Sequence, residues 1–318
     1  MKKGGRAARL KLFEKLATDL GNNLIGKKDV VLCPLCLKEC PRAAAEHAPE
    51  VAFEDRLTEE HVIPASAGHR EVTLTCKHCN DTLGATLDAH LARKIRLDRA
   101  VNSGVSVRAK LQWDGGGAPT DFRIDEDARF HLRVKPTTGK MEHLLFERMN
   151  EYATGQRELR LTLRSNVDRM SLAASLVKAA YLGLFVDRGY RYILMPALEL
   201  IRDAIRADSV GREQLHGIVI RAGIGDVGEL PVVPDRITFE TASLGGVPVC
   251  VSMINLKNAS GSAFVVLPPE TSFTGSWDGL ARAAEAFKTQ HRFEIQMSGG
   301  GTLTLNFGHV KGDPHAFR

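Results

Sequence analysis

Two Cys-x-x-Cys pairs, Cys33-Pro-Leu-Cys36 and Cys76-Lys-His-Cys79, constrain this chain more than any other feature. Together they offer four thiolates, the number that closes a tetrahedral zinc site with no open position. A closed site is a staple. It does no chemistry, and it forces two stretches with 39 residues between them to meet. That gap exceeds the usual zinc-ribbon spacing, and it carries the insertion Glu59-Glu60-His61-Val62-Ile63-Pro64. Asn80 directly follows the last cysteine. The staple thus draws Glu60, His61 and Asn80 toward one place. An acid, a general base and a neutral oxygen ligand form a set suited to one hydrolytic metal.

Taken in order, Cys33-x-x-Cys36, Glu60-His61-Val62-Ile63-Pro64, Leu74-Thr75-Cys76-x-x-Cys79-Asn80, Gly84 and Leu87-Asp88 make a specific series. The segment from Cys33 to about Asp88 resembles the HNH endonucleases, whose fold is a ββα-metal hairpin and helix. The resemblance covers less than a fifth of the chain. It implies that His61 deprotonates the water that attacks phosphorus. It also implies that Glu60 and Asn80 hold a divalent metal, with Glu59 a solvated neighbour. An oxygen-rich ligand set suits hard cations, so Mg2+ or Mn2+ is the expected catalytic ion beside structural Zn2+ on Cys33, Cys36, Cys76 and Cys79. Asn80 equally suits a helix N-cap. One departure stands out. Where the family carries a middle asparagine that braces the loop of the base, this chain has Glu71. It can serve as brace, as an added ligand, or as the mark of a weakened enzyme.

The leftover thiols, Cys40 and Cys250, read as small buried side chains. Residues after the basic N-terminus carry Lys11, Glu14, Lys15 and Asp19 rather than the apolar core of an export signal. Reduced cysteines and a cytoplasmic location are therefore expected. The best apolar run, Leu172 to Val186, is short and interrupted by Lys178, so no membrane partner is expected. Residues 1–110 hold 19 Lys and Arg against 14 Asp and Glu, so the whole formal excess of +5 falls there. A polyanionic partner fits that asymmetry, with DNA expected first and RNA as the alternative.

Periodicity predicts a helix over Arg6–Leu20, stopped at Gly21, with Lys2, Arg6, Arg9, Lys11 and Lys15 on its outer face. Strands are expected at Val30–Leu32 and Glu71–Thr75. A helix from about Asn80 should bury Leu83, Leu87, Leu91 and Ile95 and put Gly84 and Asp88 on the Asn80 face. Its end presents Arg93, Lys94, Arg96 and Arg99 as phosphate contacts. Beyond Val101 the pattern changes to strands at Val105–Trp113, within Phe122–Val134, and at Glu158–Arg164. Helices are read at Glu142–Tyr152, Asp168–Asp187 and Ile193–Ala207. The last hundred residues read as strands at Ile218–Arg221, Arg236–Thr241, Pro248–Asn255, Ser262–Leu267, Arg292–Met297 and Thr302–Phe307, interrupted by one helix, Trp277–Phe287.

The fold class is α+β. The linear division is 1–102 for the helix and zinc-stapled HNH-like segment, 103–210 for strands followed by apolar helices, and 211–318 for an α+β unit. The function expected is DNA phosphodiester hydrolysis, with residues 103–318 targeting, sensing or assembling with a protein partner or a second copy. Bacterial defence or mobile-element biology is the natural setting by analogy. The alternative is an inactive zinc-stapled nucleic-acid-binding protein.

Overall fold

Helix α1 runs Lys3–Asn23 in the computed structural model, so Gly21 does not stop it as predicted. The last turn is satisfied locally, since Leu24 N–H reaches Leu20 O at 2.7 Å and Asn23 Nδ2 reaches Asp19 O at 2.8 Å. Phe13, Leu16 and Leu20 are buried. The structure describes residues 3–24, 29–65, 71–102, 104, 106–113, 116–124, 130–134, 147, 160–164, 167–208, 212–222, 237–255, 262–270, 276–291 and 302–306. The helix expected near 142–152 (apart from Glu147) and the strand expected over 292–297 lie outside these residues, as do Lys2 and His69.

Strands β1 (Val30–Leu32) and β2 (Glu39–Pro41) form a small antiparallel hairpin around the first cysteine pair, and helix α2 (Arg42–Glu46) follows. Strands β3 (Leu57–His61) and β4 (Val72–Cys76) pair antiparallel, with Glu60 opposite Thr73 and His61 opposite Val72. Helix α3 (Lys77–Leu83) begins at once, and a π-helical turn over Gly84–Asp88 joins it to α4 (Ala89–Asn102). This gives the strand–strand–helix order, with one correction. Its first strand is β3, which itself carries Glu60 and His61, and not Val30–Leu32. The polar run Thr58-Glu59-Glu60-His61 hides β3 from a search for apolar alternation. Leu83, Leu87, Leu91 and Ile95 are all buried, as their spacing predicts.

Helix α5 (Arg169–Arg188) is the core of its unit. Asp168 caps it, Oδ2 accepting from Ser171 N–H at 2.7 Å, and Gly189 ends it with φ +67°. At Gly189 a Cβ would stand 2.1 Å from Asp19 Oδ2, which accepts the Tyr190 N–H, so only glycine fits. This helix is long and apolar enough to cross a membrane, yet 83% of the apolar window is buried inside the fold, which marks a core helix. It reaches the first cysteine hairpin through Tyr181 Oη, which donates to Pro34 O at 2.7 Å. Just beyond it, Tyr190 Oη donates to Leu32 O and accepts from Leu32 N–H. Pro196 then precedes helix Ala197–Arg206, a shorter helix than the 193–207 expected, with Tyr190–Ile193 as a separate turn. An antiparallel sheet in the order Ile237–Leu244, Val247–Asn255, Ser262–Leu267, Val219–Ala222 packs against α5 and against helix Trp277–His291.

The chain is α+β, and its contacts group into two compact units. One joins Met1–Ala92 to Asp168–Met297, and the other joins Arg93–Val167 to Ser298–Arg318. Neither unit is a continuous stretch, so the grouping in space differs from a division along the chain. The second unit holds an antiparallel sheet ordered Thr302–Asn306, Arg160–Arg164, Val107–Trp113, Gly116–Ile124, Phe130–Val134.

Candidate active site and zinc centre

The four paired cysteines meet. Their Sγ atoms lie within 4.8 Å of one another, with Cys36 Sγ and Cys76 Sγ 3.8 Å apart. A zinc ion about 2.3 Å from each sulfur of a tetrahedron requires edges of about 3.8 Å, so the donor set fits zinc. The hairpin turn is built for this: Leu37 takes φ +57° and its N–H reaches Cys33 O, while Cys76 N–H donates to Cys33 Sγ at 3.4 Å. Burial and the neighbouring sulfurs push the Cys33 thiol well above its usual range. Four sulfurs at this spacing are a donor set for one cation at their centre. Cys40 and Cys250 are buried and stand outside the cluster, and His78 is exposed and takes no part in it.

Strand β3 ends at the site. His61 is exposed, and its ring makes no hydrogen bond among the described residues. Asn80 sits in the first turn of α3 and is not its cap, because the helix already begins at Lys77 with Cys76 at the N-cap. Its Nδ2 donates to Thr58 Oγ1 at 3.0 Å and to Glu59 O at 3.1 Å. Both amide hydrogens are tied back to β3, which leaves Oδ1 as the free donor atom. A Cβ on Gly84 would meet that Oδ1 at 3.9 Å, an ordinary contact, so crowding does not require the glycine. The Glu71 carbonyl accepts from Val62 N–H at 3.0 Å, so its backbone braces the segment after His61.

Glu60 is placed differently from an open ligand. It is 2% exposed, and its Oε1 is held by Lys178 Nζ at 2.5 Å. Lys178, itself 1% exposed on α5, also holds Asp88 Oδ2 at 2.5 Å, and Ser175 Oγ donates to Asp88 Oδ1. Burial pushes the Glu60 carboxyl up to about 6, with Lys178 pulling it down and Asp88 pushing it up. Burial also opposes the Lys178 charge, but the two carboxylates outweigh it and hold the ammonium above its usual range. Asn80 therefore fits a divalent cation, and Glu60 does not while Lys178 holds it.

The basic end of α4 needs one correction. Arg93 and Arg96 are exposed and Arg99 is half-buried, but Lys94 is buried and paired with Asp98, so it is not a phosphate contact. Arg9 is likewise buried rather than on the outer face of α1, its Nε donating to Ala45 O at 2.6 Å. Two residues escaped sequence reasoning. Lys178 carried a signal, since a lone charge inside an apolar helix demands a buried partner. Phe53 carried none. Its ring is 62% exposed, with Lys77 Nζ 4.7 Å and Arg56 Cζ 5.6 Å from its centroid.

Residues 51–96 match the family model described as HNH endonuclease, which spans β3, β4, α3 and the start of α4. Over this segment the chain is similar to HNH endonucleases, a nuclease type. No curated protein and no solved structure matches the chain.

Proposed function

We propose that the chain is an endonuclease that hydrolyses DNA phosphodiester bonds, with His61 as the general base. The observation that carries this reading is the exposed imidazole of His61 at the end of β3, the strand to which both amide hydrogens of Asn80 are anchored. The unpartnered ring takes a proton from water, and that water attacks phosphorus in line with the departing 3′ oxygen. The expected products carry 5′-phosphate and 3′-hydroxyl ends. A divalent Mg2+ or Mn2+ would supply charge stabilisation, with Asn80 and Glu60 as its expected holders once Lys178 releases Glu60. Zinc on Cys33, Cys36, Cys76 and Cys79 is structural. Arg93, Arg96, Arg99 and the Phe53, Arg56 and Lys77 cluster supply cations and one stacking face for the nucleic acid. The remaining residues of 103–318 target, sense or assemble, in a cytoplasmic setting such as defence or mobile-element biology.

The deciding experiment incubates purified protein with plasmid DNA and Mg2+ or Mn2+, beside His61→Ala. Loss of cleavage with unchanged zinc and DNA affinity supports the reading. General-base catalysis contributes about 10²–10⁴-fold, so the loss is visible on a gel. Equal cutting by His61→Ala would end it. A second reading, a zinc-stapled nucleic-acid-binding module without catalysis, draws support from the Glu60–Lys178 pair. It predicts DNA binding with no cleavage under any divalent metal.

A further inference from the structure

Glu60 belongs to a buried cluster of two carboxylates and one ammonium, bridged by Lys178 Nζ at 2.5 Å to each acid. Two acids face one lysine there, so the cluster is formally one positive charge short. An interior of low polarity penalises such an imbalance, and a buried acid is tolerated only with a partner. A divalent cation on the same two carboxylates would bring the charge to zero, and oxygen donors suit a hard cation. Lys178 and the metal therefore compete for the same negative charge. The lysine is 1% exposed, and its helix packs on β4 as well as on the sheet of Val219–Leu267. Its ammonium is enclosed by these elements and lies against both acids, so a metal on those acids requires its displacement. Asp88, with a side chain 20% exposed, is the face of the cluster nearest solvent.

We propose that Lys178 is a built-in competitor for the divalent cation of the HNH site, and that the site loads metal only when this ammonium leaves Glu60. The proposal rests on the reading of Glu60 as the metal-binding acid of a nuclease. In this state the lysine supplies the positive charge, Glu60 is held in the core, and only the asparagine side of the metal site is ready. The helix that carries the lysine also carries the C-terminal sheet, so a shift of that helix would set metal occupancy.

The test uses the full zinc-loaded chain and Mn2+ alone, followed by electron paramagnetic resonance and by thermal unfolding. Wild type should bind Mn2+ weakly and gain little stability from it. Lys178→Met should be less stable without metal, should bind Mn2+ at least about tenfold tighter, and should recover stability as Mn2+ is added, by mass action. The gain should vanish in Lys178→Met/Glu60→Gln. Asp88→Asn, which leaves one acid to one lysine, should bind Mn2+ no tighter than wild type. Should Lys178→Met be unfolded without metal, folding on titration with Mn2+ reads the same affinity. Failure to fold at any Mn2+ concentration overturns the proposal. So does a folded Lys178→Met that binds Mn2+ no tighter than wild type, and so does a gain that survives Glu60→Gln. Since DNA is absent, the outcome separates from the nuclease reading. A variant that gains Mn2+ yet leaves DNA intact would uphold the competition and sink the nuclease.

Discussion

Lys178 and Glu60 are 118 residues apart in sequence and 2.5 Å apart in space, both buried. The pair ties the acid of the HNH module to the core helix of the same unit. Removing one member of a buried pair strands the other. Lys178→Ala should therefore cost about 3–5 kcal/mol, measured as a fall in the urea midpoint. Adding Glu60→Gln should return part of that loss, and the double-mutant cycle reads the coupling. A loss under about 1 kcal/mol would place the pair in water, against the burial described.

The cysteine cluster should hold about one zinc per chain, with its binding free energy coupled to folding. Cys76→Ser should lower the zinc content found by elemental analysis and melt the β3–β4 hairpin, read as lost amide protection there. Well-folded protein free of zinc would reject the staple.

Asp168 caps the core helix, and the Ser171 N–H holds its carboxyl below the usual aspartate range. A depressed pKa contributes stability above the unfolded value of about 3.9 and loses it as pH falls through the folded value. Asp168→Ala should cost about 1 kcal/mol at neutral pH. The gap between it and wild type should narrow in acid, where zinc loss affects both proteins alike and cancels. A gap that stays constant down to the acid limit would remove the charge from the cap.

Phosphate contact should depend on exposure and not on sequence charge. Arg93→Gln and Arg96→Gln should each flatten the dependence of duplex affinity on salt, by up to about 0.9 in log–log slope for one phosphate lost. Lys94→Gln should leave the slope unchanged because that lysine faces Asp98 in the interior. The opposite ranking would move the DNA surface off α4.

The exposed ring of Phe53 offers a face for an unpaired base. Phe53→Ala should weaken single-stranded DNA by about 1–3 kcal/mol, the range for one base stacked on an aromatic, and should affect duplex much less. Fluorescence anisotropy with a labelled oligonucleotide measures it. An equal loss for both strand forms would assign the ring to packing.

The residues whose chemistry repeats at fixed spacing were legible in sequence. The two cysteine pairs, the Glu60-His61 step and the four-residue stripe from Leu83 to Ile95 all follow from local pattern, and each falls where expected along the chain. Strand boundaries in the C-terminal half were readable for the same reason, with Ser262–Leu267 matching residue for residue. What was not legible depends on partners distant in the chain. Lys94 looks like a helix-end cation until Asp98 and the interior claim it. Glu60 looks like an open ligand until a lysine from another segment arrives. Strand β3 is set by its pairing with β4, because Thr58-Glu59-Glu60-His61 has no apolar alternation to announce it. The grouping of the chain into two discontinuous units has no signature in composition at all.

That discontinuity orders events during synthesis. Every residue of the HNH-like motif has been synthesised by Asp88, yet the ammonium that pairs with Glu60 is made some ninety residues later. A nascent or truncated chain would hold all four cysteines of the zinc cluster while Glu60 still lacks both its lysine and the helix that covers it. If the exchange at Lys178 governs metal loading, such a fragment has the motif without its restraint. Cutting the protein after residue 102 would then separate the motif from the ammonium that opposes its metal, so the piece and the longer chain would differ in what they bind.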